Sequence, residues 1–482
     1  MQSCRITGLL LWTIALFQAG ARIASAQDLP SSPSAVWESP QEAAYRDELN
    51  KYHQHELSPD STKTYTLTEL IDLAEEHNPS TRIAWERAKQ AAARLGVSRG
   101  SLYPVITTYA LLQEGRSGIL LDNAFHLQDI EFVQPTVSLL YTVLDFGRRR
   151  ADIDTAMARK LAANFTFNET HESIIFQVTA AYYQLVSAME QVQAAEASLM
   201  NSQTVQEAVT ARLKNGLATL PDTLEAKSAT AQAEYDLETA KGAERLARGA
   251  LAQDLGISPT IVLKVEGIPR TVTPDVLQEP VENAIRRALV QRPDLLAQLA
   301  LVKGSRAQVR RAKDNYYPVL KFTGSEDFRW AEGLQLGSSR AFSRKQMWLN
   351  QLNLSWTLFD GRARYNELDR ARSQEREAEA QLEAFRYKTE TEVWTAYSNV
   401  ETATRQQQAA DALFAAADQS YQSALTAYKY GVRNFLDVTA AQRTLAQART
   451  GQVIARSRLF TSVADLAFRT GDLLRVGAGS KH

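Results

Sequence analysis

The sequence predicts a mainly α-helical protein with a membrane β-barrel. It is a duplicated unit whose three copies form a 12-stranded β-barrel, four strands per chain, continued by a long α-helical coiled-coil barrel. Three observations predict this. The second half of the chain repeats the landmarks of the first in the same order and at a near-constant offset. Each repeat contains one very long stretch free of Gly and Pro. Each also contains two short segments rich in β-branched and aromatic residues, set in hairpin order.

At the N-terminus, Arg5 precedes an apolar run from Ile6 to Ala19 and then Ala24-Ser25-Ala26, the small-x-small pattern that signal peptidase cuts. Residues 1–26 read as a signal peptide, cleaved between Ala26 and Gln27. The apolar run is shorter than the ~20 residues of a spanning helix, which argues against a membrane anchor. The single cysteine, Cys4, lies ahead of that run, so it is no acylation site and leaves with the signal. Residues 27–65, with Pro30, Pro33, Pro40 and Pro59, are expected to form an extended arm. His53 and His55 form an H-x-H pair, but no carboxylate or cysteine cluster accompanies it, and no metal site or cofactor is expected.

Six landmarks establish the duplication. Asn78-Pro79 matches Arg292-Pro293, Tyr103-Pro104 matches Tyr317-Pro318, and Phe146-Gly147-Arg148 matches Asp360-Gly361-Arg362, all by one offset. Asn215-Gly216-Leu217 matches Tyr430-Gly431-Val432, Asp222 matches Asp437, and Leu255-Gly256 matches Thr470-Gly471, all by an offset longer by a single inserted position. The repeats span residues 66–259 and 279–471, joined by a proline-rich linker at 260–278 and followed by a tail at 472–482.

Within the repeats, neither Gly nor Pro interrupts the chain from Arg148 to Asn215, or from Arg362 to Tyr430. Each run forms a helix of about 100 Å at ~1.5 Å per residue, and so long a helix needs neighbours along its whole length. Two shorter helices per repeat, Leu67 to Ser98 and Thr219 to Leu255, then Val281 to Lys313 and Phe435 to Phe468, together match the long one. The simplest packing is a coiled-coil wall; a solid bundle or a fibrous rod satisfies the helices alone.

The strands are expected at Pro104 to Gln113, Thr136 to Leu144, Val319 to Trp330 and Leu349 to Phe359. Leu352, Leu354, Trp356 and Leu358 alternate with Asn353, Ser355 and Thr357, and Leu320 and Phe322 with Lys321, Thr323 and Ser325. One apolar and one polar face over ~9–11 residues is the pattern of a barrel strand between lipid and a wet lumen. Four strands cannot close a barrel, and an open edge in lipid strands backbone donors and acceptors; three copies supply twelve strands. A soluble sheet packed on helices is the alternative. Gly115 to Ile130 and Ala331 to Lys345 are polar and are expected to be exterior loops.

Composition excludes some functions. The formal net charge is −1 and falls to −3 once Arg5 and Arg22 leave with the signal, so no basic excess exists to hold nucleic acid. The sequence contains no phosphate-cradling glycine loop, nucleophile elbow or pocket-like carboxylate pair, and no enzyme activity is expected. An export signal without later apolar helices points to the periplasm, outer membrane or medium.

The repeated helix-strand-strand-helix-helix unit, the Tyr-Pro strand entries, the exit Leu358-Phe359-Asp360-Gly361-Arg362 and the two glycine turns resemble the TolC-like outer-membrane efflux proteins, or outer membrane factors, over about Thr66 to Gly471. The chain departs from lipid-anchored members in lacking an acylation cysteine. It departs again in reading Asp145-Phe146-Gly147 where the second repeat keeps Phe359-Asp360-Gly361. The resemblance implies a homotrimer in outer-membrane lipid, a passive exit duct of a tripartite efflux system that docks onto a periplasmic adaptor and an inner-membrane pump. The outer duct of a type I protein secretion system shares that architecture, and a periplasmic structural coiled coil is the non-transport alternative.

The resemblance also implies sites. Adaptor docking falls on the turns Asn215, Gly216, Leu217 and Tyr430, Gly431, Val432. A periplasmic gate falls on Arg433, tied to Thr219 and Asp222, with an acidic ring at Asp437; a second family ring position falls on Ala440. Asp222 and Asp437 also suit a simpler role, supporting the positive N-termini of their own helices.

Overall fold

In a computed structural model of the chain, residues 33–34, 41–53, 60, 62–121, 124–267, 279–335 and 339–473 are described. Ala26, Gln27 and His55 lie outside them. Residues 1–58 form one unit, whose described part is helix α1 (Glu42–His53). Over these residues a helix stands where an extended arm was expected: the run is free of Gly and Pro, and Glu42 sits in its first turn.

The second unit begins with the two-residue strand β1 (Thr64–Tyr65). The first repeat then supplies α2 (Leu67–His77), α3 (Pro79–Gly100), β2 (Val105–Leu121), β3 (Ala124–Leu144), α4 (Arg148–Lys214) and α5 (Leu220–Leu255). After β4 (Lys264–Val265), the second repeat supplies α6 (Val281–Gln291), α7 (Pro293–Asp314), β5 (Val319–Gln335), β6 (Ser339–Ser355), α8 (Ala363–Lys429) and α9 (Phe435–Thr470).

The long helices α4 and α8 are each 67 residues, about 100 Å at ~1.5 Å per residue. The short helices expected at Leu67 to Ser98 and Val281 to Lys313 are each broken in two, at Asn78-Pro79 and Arg292-Pro293. Proline excludes the residue before it from the helical region, and Asn78 and Arg292 stand at ψ 124° and 123°. Helix α5 ends at this break: Gly256, at φ +72°, lies so close that a Cβ would stand 3.1 Å from the His77 carbonyl oxygen. The Asn78 side-chain amide donates to the Asp254 carbonyl at 2.7 Å. Gly471 ends α9 in the same way beside Arg292.

The short helices thus stack end to end along the long ones. Toward the sheet the helices lie in the order α3-α4-α7-α8, and away from it in the order α5-α4-α9-α8. The wall is one helix thick and is held by local clusters instead of one core. Leu70, Ile174, Val178, Leu185, Leu251 and Leu255 join α2, α4 and α5, while Val209, Tyr421, Tyr428, Phe435 and Val438 close the far end.

The linker holds a feature that its prolines do not announce. Strand β4 pairs in parallel with β1, Thr64 with Lys264 and Tyr65 with Val265. Tyr182 donates to the Glu266 carbonyl at 2.7 Å and Arg248 to the Leu263 carbonyl at 3.0 Å.

The remaining strands form one antiparallel sheet in the order β2-β3-β5-β6, so the two repeat hairpins join at β3 and β5. The strands are 17, 21, 17 and 17 residues long, well beyond the expected length. The polar segments expected as loops at 115–130 and 331–345 are largely strand, because cross-strand backbone pairing continues whatever the side chains above it. The last strand, conversely, ends at Ser355. Trp356 leaves it to donate its indole N–H to the Tyr316 carbonyl at 3.0 Å, so Trp356 and Leu358 are not strand residues.

Candidate functional site

The register sorts the sheet into two faces, because directly opposed residues share a side. Leu320 pairs with Leu354, Phe322 with Leu352 and with Tyr141, Glu326 with Trp348, and Trp330 with Val133. Leu139, Val137, Pro135, Ile106 and Leu112 lie on that same side. The opposite side carries Lys321 with Asn353, Thr323 with Gln351, and Asp327 between Thr136 and Met347. The alternation read at residues 320–325 and 352–355 therefore falls on consistent faces across strands.

The polar side holds a bonded cluster that sequence reasoning missed. The Thr136 hydroxyl donates to Asp327 at 2.5 Å, Gln134 donates to the same oxygen at 3.2 Å, and Arg329 donates to Gln134 at 2.9 Å. The Arg329 guanidinium also lies 4.3 Å from the Phe132 ring centre. Register alone brings these residues together, since Thr136 and Gln134 belong to one repeat and Asp327 and Arg329 to the other.

At the far end, both turns use a glycine in the left-handed region, Gly216 at φ +72° and Gly431 at φ +74°. In each, an amide just past the helix returns to a carbonyl inside it: Leu217 N to Arg212 O at 2.9 Å and Val432 N to Ala427 O at 2.8 Å. These bonds satisfy helix-end carbonyls that a continuing chain would orphan. Tyr430 and Val432 are almost fully exposed, and so is most of Leu217. Arg212, unmarked in the sequence reading, ties the two ends: it donates to the Tyr428 carbonyl at 2.8 Å and lies 4.7 Å from the Tyr428 ring centre. Its place in the last turn of a helix was the available signal.

The candidate gate residues are only partly brought together. Thr219 caps α5 and Asp222 reciprocates, its Oδ2 accepting from the Thr219 amide at 2.9 Å and hydroxyl at 2.7 Å. This is the capping box, and the hydroxyl bond, then the amide, hold the Asp222 carboxyl below its usual range. Asn434 caps α9 by accepting from the Asp437 amide at 2.9 Å, without a reciprocal bond from Asp437. Among the described residues of one protomer, no hydrogen bond or ion pair joins the exposed Arg433 side chain to Thr219 or Asp222. The pair that does join α5 and α9 is Glu225 with Arg443, at 3.8 Å.

Midway along the wall lies a buried charge network. Arg292 donates to Asp294 at 2.5 Å and to Glu392 at 2.8 Å, and Glu392 also meets Arg469 at 3.3 Å. Glu172 of α4 lies beside it, 3% exposed. Burial first, and then Asp294, pushes its carboxyl up to about 7. Burial and Asp294 raise Glu169 as well.

Comparison with known proteins bears on this duplicated wall and sheet. The chain matches the outer membrane efflux protein family over residues 70–257 and 284–472, both repeats in turn. It belongs to that family. This outer membrane efflux protein is 26% identical to Protein CyaE of Bordetella pertussis over 412 residues, 85% of this chain and 84% of that one. It is also 26% identical to the outer membrane protein OprJ of Pseudomonas aeruginosa over 383 residues, 78% of each. The solved outer membrane protein VceC of Vibrio cholerae superposes with a TM-score of 0.74 at 21% identity, covering 84% of this chain and 96% of that one, a likeness of fold. Family and fold place the efflux protein in the outer membrane, as a channel component whose helical wall extends into the periplasm.

Proposed function

We propose that three copies close into one passive duct, which conducts cargo from the periplasm to the exterior and docks by its far turns onto a periplasmic adaptor joined to an inner-membrane pump. The observation that carries this reading is the four-stranded sheet. It has one exposed face that is apolar in its part nearer the helices, around Leu320, Phe322, Leu352 and Leu354, one polar face, and edges at β2 and β6 with no partner strand among the described residues. Unpaired backbone groups in lipid cost several kcal/mol each. Strand directions alternate across the sheet, so β6 of one copy beside β2 of the next continues the antiparallel order, and twelve strands result.

Cysteines at 352 and 354, against 351 and 353, test the closed barrel in outer-membrane vesicles. A membrane-impermeant thiol reagent is expected to label the polar pair and spare the apolar pair; equal labelling in an intact trimer refutes the reading.

At the far end, the proposed gate joins Arg433 to its neighbours between copies. Arg433 has no partner among the described residues of its own protomer, Asp437 is left free by the Asn434 cap, and both Thr219 bonds fall on one oxygen of Asp222. Replacing Arg433 and Asp222 by alanine is expected to raise single-channel conductance. Unchanged conductance in an intact trimer removes the gate and leaves the duct. The turns at Asn215, Gly216, Leu217 and Tyr430, Gly431, Val432 suit docking because their side chains are exposed and nothing lies within 4 Å of a Cβ built at either glycine. Gly431→Glu is expected to abolish efflux at unchanged trimer abundance, and wild-type resistance counts against docking there.

A further inference from the structure

The half of the wall nearer the sheet encloses a hollow of about 980 Å³. Its lining comes from α3, α4, α7 and α8 together. Helices α3 and α8 stand at opposite ends of that row of four, yet both line one hollow, so the wall curves toward it and the hollow is its concave side. In a closed ring of three such walls, the concave side is the lumen.

Five arginines line the hollow: Arg87 and Arg94 of α3, Arg159 of α4, Arg311 of α7 and Arg370 of α8. Only two carboxylates line it with them, and both are already committed. Asp152 pairs with Arg311 at 2.5 Å and Glu367 with Arg370 at 2.6 Å. Arg87, Arg94 and Arg159 are exposed and form no ion pair among the described residues. The polar face of the sheet continues the same sign. It carries Lys321, Arg329 and Lys345 against the single described carboxylate Asp327, which accepts bonds from Thr136 and Gln134.

We infer that this concave wall is an anion-binding belt, which favours cargo bearing carboxylate, phosphate or sulfate groups. The inference deepens the duct reading and rests on it for the word lumen. Guanidinium groups bind such oxyanions through paired N–H donors, and a cleft lined by one sign of charge focuses the field and concentrates counter-ions. Three copies each set these three unpaired arginines around one passage just below the barrel. The carboxylates of Asp222 and Asp437 lie at the opposite end of the helical wall, well away from the belt.

The trisulfonated dye pyranine serves as the probe, with purified detergent-solubilised protein and fluorescence anisotropy at low salt. Wild type is expected to bind it, with an affinity that falls steeply as salt rises. The triple variant R87Q/R94Q/R159Q is expected to weaken binding at least ~10-fold, since three charge-assisted contacts are lost. The matching triple lysine variant is expected to keep most of it. Arg306→Gln with Arg310→Gln, whose arginines pair with Glu379 and Asp154 outside the hollow, is expected to change nothing. No binding by wild type, or equal binding by wild type and the triple glutamine variant, overturns the belt. The hollow is lined within one chain, so this comparison stays readable if light scattering finds monomers or bilayers show no conductance. Those results count against the duct and not against the arginines.

Discussion

The two repeats share one backbone and hold its critical points by different chemistry. At the proline break, the first repeat uses Asn78, a neutral amide that caps α3 at the Ser80 amide and donates to the Asp254 carbonyl. The second uses Arg292, the centre of a charged network with Asp294 and Glu392. At the far turn, the first repeat closes the Thr219 and Asp222 capping box, while the second caps with Asn434 and leaves Asp437 and Arg433 available. Duplication kept the Gly and Pro positions that set the backbone and freed the side chains around them. At these two points the first copy is satisfied within itself, while the second carries charge, buried at the proline break and accessible at the turn.

The sharpest way to break this comparison is at the two prolines. Arg292→Ala leaves the buried Asp294 without its cation, while Glu392 keeps Arg469, and is expected to destabilise by about 3–5 kcal/mol. Asn78→Ala removes a cap and is expected to cost about 1 kcal/mol. Thermal unfolding of the two purified variants checks the ranking, and equal losses refute the asymmetry.

Next in size is a pH effect. The Glu172 carboxyl is raised from 4.5 to about 7 in the folded protein, so folding favours its protonated form. The stability this gives is full below 4.5 and is lost as pH rises through about 7. Glu172→Gln is expected to flatten that loss, on the order of 3 kcal/mol, and to raise the melting temperature at alkaline pH. Counted from the first residue of each long helix, the matching position of the second repeat is Tyr387, which is exposed; Tyr387→Phe is expected to leave the pH profile unchanged.

The smallest contrast is at the turns. Thr219→Ala opens the capping box and is expected to cost about 1 kcal/mol, whereas Asp437→Asn loses only a favourable charge near a helix N-terminus, about 0.3–1 kcal/mol. Local hydrogen exchange at the starts of α5 and α9 reads the difference.

Much of this was legible because it is written in backbone terms. Glycine at 216 and 431 and the long breaker-free runs set helix ends that the fold reproduces. Alternation at residues 320–325 and 352–355 set the sheet faces. Strand length was not legible, since residues 115–121 and 339–345 owe their strand state to paired backbones across the hairpin. The break at Asn78 was hidden inside an otherwise helical pattern. The sites were least legible: whether Asp222 serves its own helix or a neighbour depends on a 2.7 Å hydroxyl contact, and Asp327 finds Thr136 only through register.

The short parallel bridge between β1 and β4 has a consequence in time. Thr64 precedes the first repeat and Lys264 follows it, so their pairing spans that whole repeat. The contact can form only after the first repeat has been delivered in full, yet it needs nothing from the second. Loop closure costs grow only logarithmically with length, so a two-residue latch supported by Tyr182 and Arg248 can seal the first repeat while the second is still emerging. The order of translocation then becomes an order of assembly, in which α9, the last element of the second repeat to arrive, makes its contacts with α4 and α8 at the end.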